Sequence, residues 1–122
     1  MIAGIGTDMI EIKRIKKACE KESFLVRCFT AKELELIGQD PQKAAGNFAV
    51  KEAVSKVFGT GFSGFRPIDI EVLRDEKGKP FVNLYGGAEE TAAKLGITVI
   101  HVSITDTEEY AAAFAVGERA DG

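Results

Sequence analysis

The sequence predicts an α+β fold with a largely antiparallel sheet packed against a long helix, and three observations carry that expectation. Helical patterns crowd the first half of the chain and strand patterns the second, without βαβ alternation. The longest helical segment is bracketed by Asp40-Pro41 and Gly59, a clear start and stop. The late apolar runs are separated by short polar turns, DEKGK and DTEE, as in antiparallel hairpins.

Each element follows in order. Residues Ile2 to Asp8 are short and rich in Ile and Gly, and read as a strand ending at Asp8. A helix from Glu11 to Lys21 follows, with Ile12, Ile15 and Cys19 at helical spacing and basic residues on its other faces. Thr30 and Glu33 have the spacing of a capping box, which predicts a short helix over Ala31–Ile37. Asp40 then caps QKAAGNFAVKEAVSKVF, with Pro41 at the first helical position, and the helix stops at Gly59. After a loop around Gly61–Pro67, Ile68–Leu73 alternates as a strand and forms a hairpin with PFVNLY. Gly86-Gly87 breaks the chain before a small helix, AEETAAKL, closed by Gly96. Two strands, ITVIHVSIT and YAAAFAVGE, complete one domain over residues 1–122.

Composition narrows the class. Hydrophobic residues make up 45% and charged residues 29%, ordinary for a globular protein, and eight Phe supply core volume where Trp is absent. A core of this size is modest, so a subunit interface is expected to supplement it. The N-terminus lacks the pattern of a signal peptide, and no apolar run is long enough to span a membrane. Cys19 and Cys28 have no metal-ligand spacing and read as reduced thiols of a cytoplasmic protein. Net charge is −3, so bulk electrostatics do not predict nucleic-acid binding. The distribution says more: Lys13, Arg14, Lys16, Lys17 and Lys21 place five positive charges in nine positions against Glu20 alone. Such a local patch suits an acidic partner.

Candidate chemistry concentrates in two places. On the long helix, Lys51, Glu52, Ser55 and Lys56 share the arc left by Ala49, Val50, Ala53, Val54, Val57 and Phe58. Glu52 and Lys56 are i, i+4 neighbours, which fits a surface salt pair. It equally fits a metal-binding carboxylate beside a lysine that meets phosphate, a pair suited to phosphoryl transfer. Asp8 at its strand end is either a helix cap or a carboxylate projecting into a cleft. Mg²⁺ commonly takes one or two carboxylates with waters and phosphate oxygens, so Asp8 and Glu52 are a candidate metal pair. Gly59-Thr60-Gly61 reads as a helix C-cap, and no Walker pattern is present. The single histidine, His101, lies in the apolar run VIHVSI and reads as a core or interface residue.

The segments GIGTDMIEIKRI and FAVKEAVSKVFGTG, at residues 48–61, resemble the two signature segments of the holo-acyl-carrier-protein synthases, the short phosphopantetheinyl transferases. Their order, the chain length, the GKP turn and the HVSIT strand match as well, so the resemblance covers essentially the whole chain. It implies a 4′-phosphopantetheinyl transferase fold that forms a homotrimer with active sites between subunits. It implies transfer of 4′-phosphopantetheine from coenzyme A to a serine of an acyl carrier protein, with Mg²⁺, in fatty acid biosynthesis. Asp8 and Glu52 would be the metal ligands, Lys56 would contact the transferred phosphate, and Gly59, Thr60 and Gly61 would let backbone approach the cofactor. Arg14 matches the arginine of the first segment and would dock the acidic helix of the carrier, with Lys13, Lys17, Lys21 and Arg27 as further candidates. One departure is Asn47, where many members carry an arginine, which puts any phosphate or interface contact of that arginine in question.

Two rivals stand beside this reading. The longer transferases that serve peptide- and polyketide-synthase carriers are pseudo-dimers of about twice this length, and only one copy of the motifs occurs here. A non-catalytic module binding coenzyme A or an acidic protein would have no need of the carboxylates Asp8 and Glu52.

Overall fold

The computed structural model describes residues 1–120, so the last two positions of the expected domain lie outside the described residues. Strands β1 (Ile2–Glu11), β4 (Ile97–Asp106) and β5 (Tyr110–Arg119) form an antiparallel sheet in the order β1-β5-β4. Strands β2 (Ile70–Arg74) and β3 (Pro80–Leu84) form a separate antiparallel hairpin. The expected α+β architecture is borne out.

Helix α4 (Pro41–Phe58) is the central element. The Asp40 side chain accepts from the amides of Gln42 and Lys43, and Gly59 closes the helix with a left-handed φ of 76°. From Ala44 onward the helix is buried on nearly every side, sandwiched between the sheet and the hairpin. The sheet can approach it closely because β1 is bare there. A Cβ on Gly6 would lie 1.9 Å from the Ala53 carbonyl oxygen, and one on Gly4 would lie 2.5 Å from that of Val57. Only glycine permits backbone-to-backbone contact of this kind.

Alternation along the strands sorts the sheet's faces. The register Gly4↔Gly117, Gly6↔Ala115, Asp8↔Ala113 and Ile10↔Ala111 sets the face toward α4, where β5 offers only Gly and Ala and β1 offers Gly4 and Gly6 before the larger Asp8 and Ile10. Two apolar clusters result. One joins α4 to the sheet, the hairpin and α5 (Gly86–Leu95). The other joins the start of α4 to α1 (Ile12–Ala18), α2 (Glu22–Cys28) and α3 (Ala31–Ile37).

Several local expectations are corrected. Strand β1 continues past Asp8 to Glu11, because its partner β5 offers paired residues as far as Tyr110. The helix expected over Glu11–Lys21 ends at Ala18, and a turn leads into α2, which the sequence reading passed over. Pro67–Asp69 forms a 3₁₀ turn before β2. Gly86-Gly87 begins α5 instead of preceding it, and a Cβ on Gly87 would collide with the Gly64 carbonyl oxygen at 2.1 Å. His101 is exposed in the chain, with Nε2 2.5 Å from Glu118 Oε1, so it is no core residue. The capping box of α3 forms as expected.

Candidate active site

An otherwise buried helix can offer chemistry only along whatever line remains open. On the second half of α4, the line that is not fully buried runs through Phe48, Glu52 and Lys56. Lys51 and Ser55, expected to share that arc, are instead buried: Ser55 donates to the Glu52 carbonyl oxygen at 2.6 Å, and Lys51 pairs with Glu33. Helix α3 and the turn before β2 supply the partners that close over Lys51.

Strand β1 meets this line. Its inner-face residues step along α4, with Gly4 over Val57, Gly6 over Ala53 and Lys56, and Asp8 next in the series. Asp8 therefore caps no helix; Glu11 occupies the N-cap position of α1. Lys56 Nζ donates to the Thr7 carbonyl oxygen at 2.8 Å and lies 3.4 Å from Asp8 Oδ1. The expected Glu52–Lys56 salt pair thus gives way to a Lys56–Asp8 contact. Burial raises the Glu52 pKa, the Asp8 charge raises it further, and Lys56 partly opposes them. The structure brings Asp8, Glu52 and Lys56 to one place, although 44 residues separate the two carboxylates in sequence.

Those carboxylates fit a hard divalent cation. Glu52 feels the repulsion of Asp8, and a cation between them would relieve it. Two carboxylates with positions left for water and phosphate oxygens are what Mg²⁺ sites commonly offer. Just beyond, Gly59 and Gly61 adopt φ values of 76° and 60°, and Thr60 Oγ1 donates to the Gly61 carbonyl oxygen at 3.0 Å. An added Cβ on either glycine would meet nothing within 4 Å, so conformation rather than crowding demands glycine there.

Arg14, Lys17, Lys21 and Arg27 line one groove of about 470 Å³ between α1 and α2, together with Phe24. Lys13 does not line it. The sequence reading missed α2 and with it Phe24, although Phe24, Leu25 and Cys28 have helical spacing. Asn47 is fully buried, donating to Glu33 Oε2 at 3.1 Å and to the Val72 carbonyl oxygen at 2.9 Å. It takes no part in the open cluster.

The family model of the 4′-phosphopantetheinyl transferase superfamily matches residues 4–115. This chain belongs to that superfamily. A holo-[acyl-carrier-protein] synthase of Lachnoclostridium phytofermentans is 58% identical to it over 118 residues, 97% of either chain. Among solved structures, a Plasmodium yoelii acyl carrier protein synthase with ADP bound superposes with a TM-score of 0.89 at 34% identity. That match covers 99% of this chain and 98% of the other. A Helicobacter pylori holo-[acyl-carrier-protein] synthase in complex with coenzyme A superposes with a TM-score of 0.84 at 30% identity, over 93% of this chain and 99% of the other. The transferase fold and enzyme class implied by the two motif segments are borne out. Among the described residues no helix is long and apolar enough to cross a membrane.

Proposed function

We propose that this phosphopantetheinyl transferase moves 4′-phosphopantetheine from coenzyme A to a serine of apo-acyl carrier protein, in the cytoplasm, for fatty acid biosynthesis. The observation that carries the reading is the convergence of Asp8, Glu52 and Lys56 on the one open line of a buried helix. The names of the relatives support the substrates, and near-equal chain lengths support the short type over the longer transferases.

In this reading Asp8 and Glu52 hold Mg²⁺, which when bound supplies positive charge to the phosphates of coenzyme A. Lys56, kept near Asp8 by the Thr7 carbonyl oxygen, reaches the transferred phosphate. The Gly59–Gly61 turn lets backbone approach the cofactor. The carrier serine attacks the β-phosphorus in line, its proton passes to the Glu52 carboxylate, directly or through water, the bond from the β-phosphorus to the bridging oxygen breaks, and adenosine 3′,5′-bisphosphate leaves. Positioning and charge neutralisation do most of the work in such transfers. The groove of Arg14, Lys17, Lys21 and Arg27 takes the acidic helix of the carrier, with Phe24 as an apolar contact.

The same reading makes the chain a single transferase domain that assembles as a homotrimer with its sites between subunits. The outward face of the β1-β5-β4 sheet supports this, since Ile5, Met9 and Phe114 are 70%, 68% and 60% exposed in the single chain. Contiguous apolar surface of this kind marks an interaction face.

The test is the intact mass of an apo-acyl carrier protein incubated with coenzyme A, Mg²⁺ and the enzyme. A gain of one phosphopantetheine, lost with chelator or when the carrier serine is replaced, supports the proposal. Absence of any gain across fatty-acid and secondary-metabolism carriers would favour a module that only binds.

A further inference from the structure

Lys51 is fully buried, and neither the metal pair nor the phosphate contact uses it. Its ammonium donates to Glu33 Oε1 at 2.8 Å, to the Pro67 carbonyl oxygen at 3.0 Å and to the Ile70 carbonyl oxygen. A buried ion pair is weak evidence for stability, because well-packed apolar residues often serve as well. The two backbone partners are the informative ones. Pro67 and Ile70 bracket the 3₁₀ turn at which the segment 59–66 returns to the fold.

At its three glycines that segment has open space beside it. Gly59, Gly61 and Gly64 all have positive φ, and a Cβ on any of them would touch nothing within 4 Å. Its shape therefore depends on its anchoring points: its two ends, Phe62 against the core, and the Gly64 carbonyl oxygen against Gly87 of α5. One end is fixed by α4 at Gly59. Near the other, Phe65 packs against Phe58 and Phe62 at 5.6 and 5.5 Å between ring centroids, and the Lys51 ammonium grips the turn that follows. One helix thus supplies both the start of the loop and the clamp on its return. Asn47 extends the clamp by joining Glu33 to the Val72 carbonyl oxygen in β2.

We propose that Lys51, charge-balanced by Glu33, is a positioning residue that clamps the returning end of the 59–66 loop, so that Gly59–Gly61 keep the shape that receives coenzyme A. The inference rests on the reading of Gly59–Gly61 as part of the coenzyme A site. The variant E33Q/K51M removes both charges together, leaving no lone buried ion but also no donor for the Pro67 and Ile70 carbonyl oxygens. Glu33→Gln alone keeps that donor.

Amide hydrogen exchange and calorimetric coenzyme A binding are the readouts. In E33Q/K51M, exchange over residues 60–69 should accelerate at least about tenfold, since two bonds from a charged donor are lost, while sheet amides stay within about twofold of wild type. Coenzyme A affinity should fall about tenfold in the double variant and less in Glu33→Gln. Equal effects in the two variants, or faster exchange spread evenly over the protein, would overturn the clamp. If the double variant does not fold, Lys51→Arg decides instead: retained donors should leave loop exchange at the wild-type rate, and a loosened loop there would refute it. The exchange result stands even if no carrier is ever modified, so failure of the clamp and failure of the proposed reaction are separable.

Discussion

Helix α4 presents two lysines to two carboxylate groupings, and their surroundings could hardly differ more. Around Lys51, the ammonium and the Glu33 carboxylate are both 0% exposed and saturated with partners. Burial pushes the Glu33 carboxyl up and the Lys51 ammonium down, and each partner opposes the other's shift. Around Lys56, the lysine side chain is 53% exposed, its contact with Asp8 is a long 3.4 Å, and two carboxylates share one counter-charge. A closed cluster can only hold the fold together. An open one with excess negative charge has something left to bind.

The largest effects should separate these two clusters. Replacing Asp8 or Glu52 by Ala should cut transfer about 1000-fold or more, comparable to removing a principal electrostatic group at a reacting centre. Stability should not fall in Glu52→Ala, because the change removes a carboxylate that burial and Asp8 already penalise. Turnover at limiting Mg²⁺ and thermal melting check both halves, and near-wild-type turnover would dismiss the metal pair. Lys51→Met should act chiefly on stability, with only the roughly tenfold loss of coenzyme A affinity that the clamp implies. It strands the buried Glu33 carboxylate and should cost about 3–5 kcal/mol of stability by denaturant melting.

How much of this contrast was legible beforehand follows from range. The limits of α4, the α3 capping box and the hairpin turn are set by neighbours a few residues apart, and the sequence carries them openly. The motif residues Asp8, Glu52 and Lys56 were legible by resemblance, and their meeting depends on Gly4 and Gly6, whose task the sequence does not announce. Lys51 was misplaced because helical periodicity assigns a lysine to the wet arc. Its partner Glu33 lies 18 residues away on another helix, and no local pattern couples the two. The split at Ala18 was missed for a related reason: a run of basic residues continues through the turn and conceals it.

A smaller effect probes a fourth carboxylate, whose surroundings resemble the closed cluster. Glu71 is nearly buried, and burial alone would raise its pKa. Hydrogen bonds from Thr30, Asn83 and Tyr85, with help from Lys32, outweigh that and hold it below the ordinary value. A carboxyl with a depressed folded-state pKa stabilises the protein above the usual carboxylate range, and that stabilisation is lost as pH falls through the folded value. Glu71→Gln should therefore cost about 2 kcal/mol at neutral pH, the scale of bonds to a charged acceptor. The gap from wild type should shrink in acid. A gap independent of pH would mean that shape, not charge, is what Glu71 contributes.

The smallest effect tests whether an open charge acts through place or through sign alone. Arg14 lines the groove between α1 and α2, whereas Lys13, its neighbour in sequence, does not. Both are exposed, so neither substitution should disturb the core. If the acidic helix of the carrier lies in that groove, Arg14→Glu places like charge against it and should raise the KM for carrier about tenfold, leaving the KM for coenzyme A unchanged. Lys13→Glu alters net charge equally but lies off the groove, and should move the KM for carrier by less than about threefold. Equal losses for the two would mean that the carrier senses only the general field of the basic segment. A rise in the coenzyme A KM with Arg14→Glu would instead draw that arginine into the phosphate site.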